Sequence, residues 1–293
     1  MPLSEQQLIS WSSPVGTSED QKCKNAISQV TLAMRNKFGN GVTIFLQGSY
    51  RNNTNVKQDS DVDIVVRHDG YYFPDLVWLD EEQKKRYHAT HQNSEYTFAQ
   101  FKSEIQQCLE QVFDNIQRKN KCLLVLGNTN RVNADVVPCF KMKRFSNESQ
   151  VEAEGIQFMS DDGSRVYSFP EQHYSNGVAK RTATGQMYKK MVRILKRIRN
   201  ELIDAKTITE KLASSFFIEC LVYNVPNSQF IAGDYRQSLR NVIAQIYNDM
   251  DNATVGNEYV EVSELKYLFK GNTRSLNDAK QFMLKCWEYA GFN

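Results

Sequence analysis

The most informative stretch of the chain spans residues 46–66 and reads LQGSYRNNTNVKQDSDVDIVV. It places a Gly-Ser turn after an apolar run and ends in a β-branched strand that begins with Asp-x-Asp. On a strand, residues i and i+2 point to the same face, so we expect Asp61 and Asp63 to project together. The alternate β-branched residues then point to the opposite face, where a helix can cover them.

A third acid follows in the β-branched stretch RVNADVV, residues 131–137. Alternation puts Asp135 on the face opposite Ala134 and Val136, so Asp135 joins the other two acids if this strand pairs beside the first one. Neighbouring carboxylates repel unless a cation lies between them, and oxygen ligands suit Mg²⁺. We therefore predict a site for two Mg²⁺ ions, or Mn²⁺ in their place, on Asp61, Asp63 and Asp135.

The turn at Gly48-Ser49 suits a phosphate group. Glycine lets a phosphate approach the backbone closely, and the amides at a following helix start are anion donors. The hydroxyl of Ser49 could add a bond to the β- or γ-phosphate. Each motif alone has a plainer interpretation, an edge strand with a solvated acidic face and an ordinary turn. Their joint spacing with Asp135 favours nucleotidyl transfer.

Composition limits the alternatives. The chain has 293 residues, 41% hydrophobic and 24% charged, with a net charge of +2, which excludes collagen-like, low-complexity and wholly disordered chains. No large clustered basic excess indicates a nucleic-acid coat, so nucleic acid is not expected to be required. The six cysteines form no C-x-x-C pair or zinc spacing, and no leader or membrane span is visible, so we expect reduced thiols in a cytoplasmic protein without zinc.

Periodicity predicts an α+β chain with an N-terminal sheet lobe, which carries the acid motifs, in residues 1–180 and a helical lobe in residues 181–293. The predicted N-terminal elements are an arm over 1–20, a helix over 21–38, strands over 42–46 and 61–67, an irregular segment over 69–93, a helix over 94–118, and strands over 122–126 and 131–137, the last closed by Pro138. The predicted C-terminal helices span 184–204, 208–223, 235–249, 263–270 and 275–290.

Each of two later groups of residues has two possible interpretations. Four basic residues at helical spacing form either a stripe toward a cleft or a solvated face: Lys189, Arg193, Lys196 and Arg197. The segment Ser214-Ser215-Phe216-Phe217 supplies either nucleotide contacts or only a helix cap and core residues. The four histidines share no metal-site spacing, so surface or packing roles are expected for them.

Together, Gly48-Ser49, Asp61-x-Asp63 and Asp135 resemble the active-site pattern of polymerase-β-type nucleotidyltransferases. Four segments further resemble the bacterial CD-NTases, relatives of the animal cyclic GMP–AMP synthase, in the clade lettered E. They are residues 46–66, FPEQHYSNGVAKRTATG (169–185), YKKMVRILKRIRN (188–200) and SSFFIECLVYNVPNSQF (214–230). The resemblance implies a nucleotidyltransferase sheet lobe packed on a C-terminal helical lobe, with the active site in the cleft.

The resemblance also implies roles for individual residues. Asp61, Asp63 and Asp135 match the metal-binding acids, and Gln47, Gly48 and Ser49 match the triphosphate loop. Three helical residues match nucleotide contacts, the first two to the triphosphate and the third to a base: Lys196, Ser215 and Phe216. Relatives often have Pro-Ser where this chain has Ser214-Ser215, a departure at that position.

Base choice is implied by Ser168, two residues before Pro170. In relatives, Asn at this position accompanies uridine use and Ser accompanies purines, so the resemblance implies ATP as substrate, alone or with GTP. A serine hydroxyl both donates and accepts, so by itself it does not exclude a pyrimidine.

The leading hypothesis is a Mg²⁺-dependent enzyme that joins two nucleoside triphosphates and cyclises the product. Ring closure comes from the resemblance, as do a role in anti-phage signalling (CBASS) and a separate effector protein that responds to the cyclic nucleotide. One alternative is nucleotide transfer to an RNA, protein or small-molecule acceptor, and another is a product that contains uridine. A third is a catalytically inactive nucleotide-binding protein.

Overall fold

The computed structural model describes residues 2–56, 61–271 and 274–292. The chain divides into two compact units, each made of separated segments. The helical unit consists of Met1–Gly16, Ser49–Asp59 and Glu171–Asn293, and the sheet unit of Thr17–Gly48 and Ser60–Pro170. The single domain boundary predicted at residues 180 and 181 stays a prediction.

The helices and strands have the following bounds. The helices are α1 (Glu5–Ser12), α2 (Thr17–Phe38), α3 (Gly48–Arg51), α4 (Glu81–Thr90), α5 (Phe98–Glu110), α6 (Pro170–Ala183), α7 (Met187–Asp204), α8 (Ser215–Asn224), α9 (Tyr235–Asp251), α10 (Ala253–Gly256) and α11 (Leu276–Ala290). The strands are β1 (Val42–Gln47), β2 (Val62–Asp75), β3 (Ile116–Arg118), β4 (Leu123–Val125), β5 (Ala134–Asn147), β6 (Gln150–Met159) and β7 (Arg165–Ser168).

In the described part of the sheet unit, seven strands form one mixed sheet in the order β1-β2-β5-β4-β3, with β6 paired to β5 and β7 to β6. Strands β2 and β5 are parallel, whereas the other pairs are antiparallel. The predicted adjacency of the two acid-bearing strands is thereby confirmed. Because β2 and β5 are parallel neighbours, residues near their N-terminal ends meet at one edge of the sheet.

The apolar face of β2 packs as its alternation predicts. Val62, Ile64 and Val66 are each 0% exposed, and α2 packs on β1 and β2. Burying a β-branched side chain of this size stabilises a fold by about 1.5–3 kcal/mol. The predicted helical cover over this face is therefore confirmed, and it leaves the opposite face of β2 to Asp63.

Pro138 does not end its strand, contrary to the prediction, because β5 continues to Asn147. On one side β5 pairs with β2 through Pro138. On the other side its pairing with β4 ends at Val136 and its pairing with β6 begins at Phe140. A proline has no N–H to donate, and here it lies in the gap between two partner strands, where no ladder bond is lost.

The first twenty residues are not the predicted arm. Helix α1 begins after Ser4, whose side chain accepts a hydrogen bond from the Gln7 amide at 3.2 Å, and Leu8 is fully buried in the helical unit. Helix α2 begins at Thr17, four residues before the predicted start at residue 21. Tertiary burial of a short amphipathic segment therefore outweighs its loop-like composition.

The segment over residues 69–93 is not irregular either. Strand β2 extends through it to Asp75, and α4 begins with a capping box formed by Asp80 and Gln83. Tyr87 of α4 packs with Leu79 and Phe145 in a small apolar cluster. The acidic-then-basic composition of α4 hid this helix because its apolar face rests largely on one tyrosine.

Other boundaries differ where local signals compete. The helix predicted over 94–118 ends at Glu110, and residues 116–118 form β3 instead, paired with β4. Helix α6 begins at Pro170, about ten residues before the predicted helical region, and proline is favoured at the first position of a helix.

The C-terminal helices also differ from the prediction. Residues 208–214 precede α8 because Ser214 is its N-cap. Residues 263–270 are not helical, since Val260 and Tyr267 form a β-bridge there.

The helical unit has one large apolar core. Its members come from α1, α7, α8, α9 and α11, with fully buried examples in Leu195, Phe217 and Phe282. No described helix combines the length and the apolar character needed to cross a membrane.

The thiols of the native chain should react slowly with Ellman's reagent at pH 8. All six cysteines are free, and burial, aided by nearby carboxylates, raises the pKa of Cys23 to about 11 and that of Cys122 to about 12. Because the thiolate is the reactive form, we expect labelling about 100-fold slower than in denaturant. Release of six equivalents by the native chain at the denatured rate would contradict this.

Candidate active site

Three of the predicted site residues lie in one row across the sheet. Gln47 of β1 is opposite Asp63 of β2, and Asp63 is opposite Asp135 of β5. Residues paired in register project to the same face of a sheet. The side chains of Gln47, Asp63 and Asp135 therefore share the face that α2 does not cover.

Asp61 lies just outside this row. It immediately precedes β2 and is exposed. Its charge helps to raise the pKa of the Cys23 thiol, although burial and the charges of Glu19 and Asp20 contribute more. In residues 2–56, 61–271 and 274–292, no three His, Cys, Asp or Glu side chains are gathered so that they could hold a metal ion. The structure thus brings Asp63 and Asp135 together but does not converge all three acids.

Glycine at position 48 leaves room for the Asp63 carboxylate. A Cβ atom built on Gly48 would lie 2.0 Å from Asp63 Oδ2, far inside any permitted contact. Gly48 also has φ of +70°, in the left-handed region that glycine tolerates. This position therefore needs glycine on both counts, and α3 begins there, so the predicted helix start after β1 is confirmed.

Cys122 holds one side of Asp135. Its Sγ donates to Asp135 Oδ1 at 3.2 Å, and its pKa is raised to about 12 by burial first and by the charge of Asp135 next. The thiol therefore stays protonated at neutral pH and remains a donor to the carboxylate. Sequence reasoning treated Cys122 only as a reduced thiol, and its position just before β4 was the one available signal.

The donors present fit a divalent cation. Asp63 and Asp135 offer carboxylate oxygens from adjacent parallel strands, and a hard cation such as Mg²⁺ takes oxygen ligands. The space that a Cβ of residue 48 would fill lies directly against Asp63 Oδ2. Asp61 is two residues before Asp63 but precedes β2, outside this pair.

In the helical unit, the basic residues of α7 are not a solvated face. Lys189, Arg193 and Lys196 are 4%, 6% and 0% exposed, and Arg197 is partly buried. Burial, reinforced by neighbouring cations, lowers the pKa of Arg193 to about 10, and its guanidinium donates to the carbonyl oxygen of Asn53. Helix α7 thus directs its cations inward, toward polar backbone and side-chain partners.

Ser214 and Ser215, at the N-terminal end of α8, have separate roles. Ser214 is the N-cap, since its Oγ accepts from the Phe217 amide at 3.3 Å. Ser215 Oγ instead accepts from Arg199 at 2.9 Å. The capping interpretation therefore holds for Ser214 and not for Ser215.

The two phenylalanines also separate. Phe217 is fully buried, whereas Phe216 is 43% exposed, so the core interpretation holds only for Phe217. Ser215 lines a cavity of about 450 Å³ together with Arg199, Asn200, Ile203, Asp204, Glu210 and Ser214. An exposed ring beside a helix start that lines a polar cavity is a suitable surface for a nucleotide.

Ser168 ends β7, opposite Ile156 of β6. The neighbouring Gly155 lets the chain approach closely here, because a Cβ at that position would lie 2.5 Å from the Ser168 carbonyl oxygen. Phe169, the next residue, is buried and carries the Arg144 guanidinium 4.9 Å from its ring centroid. The backbone of Ser168 is therefore held firmly, while its side chain is partly exposed.

Sequence reasoning missed a buried polar cluster in the helical unit. Glu219 of α8 is 3% exposed and contacts Thr54 and His173. His173 had been expected only on the surface or in packing. The available signal was a carboxylate in the apolar run of α8, since a buried charge needs partners.

Comparison with known proteins supports a single family. The nucleotidyltransferase domain family matches residues 27–157, and the family of cGAS/DncV-like nucleotidyltransferase C-terminal helical domains matches residues 175–291. The chain is 57% identical over 294 residues to the cyclic dipurine nucleotide synthase of Elizabethkingia meningoseptica, covering 100% of both. It is 35% identical to the cyclic dipyrimidine nucleotide synthase CdnE of Legionella pneumophila, covering 97% of both.

The fold agrees with a solved relative. The structure of the Elizabethkingia meningoseptica CdnE cyclic dinucleotide synthase with GTP and Apcpp matches with a TM-score of 0.86 and 55% identity, over 99% of this chain and 100% of that one. The predicted α+β fold class, a polymerase-β-type nucleotidyltransferase sheet with a C-terminal helical region, is confirmed. The chain belongs to the cGAS/DncV-like nucleotidyltransferases and, within them, to the CdnE cyclic dinucleotide synthases.

Proposed function

We propose that this enzyme joins two purine nucleoside triphosphates, ATP alone or with GTP, and closes them into a cyclic dinucleotide. The observation that carries the proposal is the register of Asp63 with Asp135 on parallel neighbouring strands, directly beside the glycine at position 48. Paired carboxylates at the end of a phosphate-accepting turn are suited to nucleotidyl transfer.

The reaction consists of two equivalent transfers. In each, a ribose hydroxyl oxygen of the acceptor bonds to the α-phosphorus of the donor, the α–β phosphoanhydride bond breaks, and pyrophosphate leaves with the hydroxyl proton passing to solvent. The second transfer, after the linear intermediate reorients, closes the ring. We assign Asp135 to orient the acceptor hydroxyl, with its Oδ1 fixed by Cys122.

Asp61, Asp63 and Asp135 are the residues that we assign to hold two divalent ions, Mg²⁺ or Mn²⁺. When bound, such ions would lower the pKa of the ribose hydroxyl and neutralise the leaving pyrophosphate. The carboxylates would also have an effect of their own. They repel phosphate oxygens whose negative charge no cation neutralises, and so they favour a nucleotide that binds together with its cations.

Residues of the turn and of the helical unit are assigned to the nucleotide. Gln47, Gly48 and Ser49 would bind the triphosphate, with Lys196 and Ser215 as further contacts. Phe216 would stack on a base, for which its 43% exposure is favourable.

Purine use rests on Ser168 and on the relatives. The 57% identical relative is named for a dipurine product, whereas the 35% identical one is named for a dipyrimidine product. Base choice therefore varies within the family, and the higher similarity favours purines. A cytoplasmic role in anti-phage defence, with a separate effector that responds to the product, follows from the family resemblance alone.

Incubation of the purified chain with each labelled NTP, singly and in pairs with Mg²⁺, tests the proposal. We expect a phosphatase-resistant dinucleotide from ATP, alone or with GTP, identified by mass spectrometry and absent from the Asp61→Ala/Asp63→Ala double variant. A product that requires UTP would overturn the purine assignment and leave the enzyme class standing. Label transferred only when an RNA, protein or small-molecule acceptor is added would overturn cyclisation.

A further inference from the structure

Helix α8 buries a carboxylate among apolar side chains. Glu219 is 3% exposed, and its helix neighbours Ile218 and Cys220 are fully buried. Removing an ionised carboxylate from water is costly unless cations and hydrogen bonds compensate it. A sequence that places glutamate here must therefore use it for something that an apolar residue could not supply.

The carboxylate has a partner on each oxygen. Thr54 Oγ1 donates to Oε2 at 2.9 Å, and His173 Nε2 lies 3.0 Å from Oε1. Burial opposes ionisation, but the charges of His173 and Lys196 and the bonds from His173 and Thr54 outweigh it and hold the pKa of Glu219 below its ordinary value. Glu219 is therefore an anion at neutral pH, hydrogen-bonded on both oxygens and stabilised by the Lys196 ammonium.

Thr54 connects this anion to the turn at Gly48-Ser49. Its amide donates to the Ser49 carbonyl oxygen at 2.9 Å, and its hydroxyl accepts from Lys196 Nζ at 3.4 Å while donating to Glu219. Ser49 and Lys196 are two of the residues assigned above to the triphosphate. One buried carboxylate thus fixes, through a single threonine, a turn residue and a lysine that lie more than 140 positions apart in sequence.

We propose that Glu219 is a positioning residue for triphosphate binding, a role that rests on the function proposed above. Its negative charge offsets the burial of the Lys196 ammonium and its bond to Thr54 fixes the turn that carries Ser49. The turn is then already arranged when the triphosphate binds, and the Lys196 ammonium, which is 0% exposed, acts on the phosphates through its charge, so that little binding free energy is lost in ordering these groups.

The test is a double-mutant cycle of Glu219→Gln with Lys196→Met, measured as KM and kcat for ATP and as the Kd of a non-hydrolysable ATP analogue. Glutamine keeps the size and the acceptor oxygen but removes the charge. We expect Glu219→Gln to raise KM and Kd about tenfold, the order expected for hydrogen bonds to charged groups, with kcat within about threefold. In the Lys196→Met background the same change should add less than about twofold, because its target is gone.

A matched control is Asp249→Asn in the same unit. Asp249 of α9 also accepts from a buried partner, the Tyr259 hydroxyl at 2.8 Å, but that tyrosine does not belong to the Glu219 cluster. This variant should lower the melting temperature without changing KM, which separates positioning from general stability.

Two results would overturn the inference. One is a KM and Kd for Glu219→Gln within twofold of the parent chain, and the other is an equal effect of the change with and without Lys196. If the parent chain binds the analogue but releases no pyrophosphate, the proposed function fails while the Kd cycle still decides the role of Glu219. If the parent chain binds no ATP analogue at all, both fail.

Discussion

The Asp63→Asn variant should release pyrophosphate from ATP about 10³-fold more slowly than the parent chain. Metal-assisted stabilisation of the charge in a transition state contributes several kcal/mol, and each 1.36 kcal/mol changes the rate tenfold. Asp63 is the central member of the row formed with Gln47 and Asp135. Asparagine keeps the volume but removes the charge that we assign to cation binding. Steady-state pyrophosphate release at saturating ATP, with circular dichroism to establish folding, measures the loss.

Asp69→Asn is the matched control on the same strand. Asp69 is exposed and accepts from Arg67 at 2.9 Å and from Thr43 at 2.6 Å, away from the row of acids. An exposed ion pair contributes about 0–1 kcal/mol, so this variant should keep its activity within about twofold. The assignment of Asp63 is wrong if its asparagine variant retains a tenth of the activity, or if Asp69→Asn loses as much.

The part of the site that sequence could predict is the part set by strand alternation. Two-residue periodicity placed Val62 and Ile64 on the buried face and Asp63 on the other, and the structure confirms this burial. A β-branched run around Asp135 was enough to predict a strand there, but not its place in the sheet. The pairing of β5 beside β2, and the register that sets Asp63 opposite Asp135, came from the structure.

Sequence could not predict what depends on distant partners. Pro138 indicates a strand end unless the pairing of β4 and β6 on either side of it is known. The bond between Thr54 and Glu219 joins residues 165 positions apart, and neither residue type marks the other. Phe216 is exposed and Phe217 is buried because α8 begins at Ser215. Each residue of error in the predicted start of a helix rotates the predicted buried face by about 100°.

The helices α1 and α4 also could not be predicted from local sequence patterns. α1 is only eight residues long and α4 carries few apolar residues, and the buried apolar side chain is Leu8 in α1 and Tyr87 in α4. Such helices form because a pocket in the core accepts this side chain, while the isolated segment would be marginal. The row of Gln47, Asp63 and Asp135, by contrast, lies on extended segments, and the two-residue alternation that gives the acids a common face is a local pattern that could be predicted from sequence.

The second large effect is expected from Gly48→Ala. An alanine Cβ would lie 2.0 Å from Asp63 Oδ2, so the carboxylate has to move, and the residue would also occupy φ of +70°. The left-handed conformation costs a non-glycine residue about 1–2 kcal/mol, which should appear as a lower melting temperature. Displacement of a reacting group by about 1 Å costs about 10²-fold, so we expect kcat to fall by at least that factor.

Gly163→Ala separates these two causes. Gly163 has φ of +83° but nothing within 4 Å of a built Cβ, so alanine there meets the same backbone strain without displacing any group. Both variants should lose similar stability in thermal denaturation, whereas only Gly48→Ala should lose pyrophosphate release. Equal activity losses would mean that strain alone inactivates the enzyme. Full activity in Gly48→Ala would mean that Asp63 can shift without consequence, which would contradict the role proposed for it in the reaction.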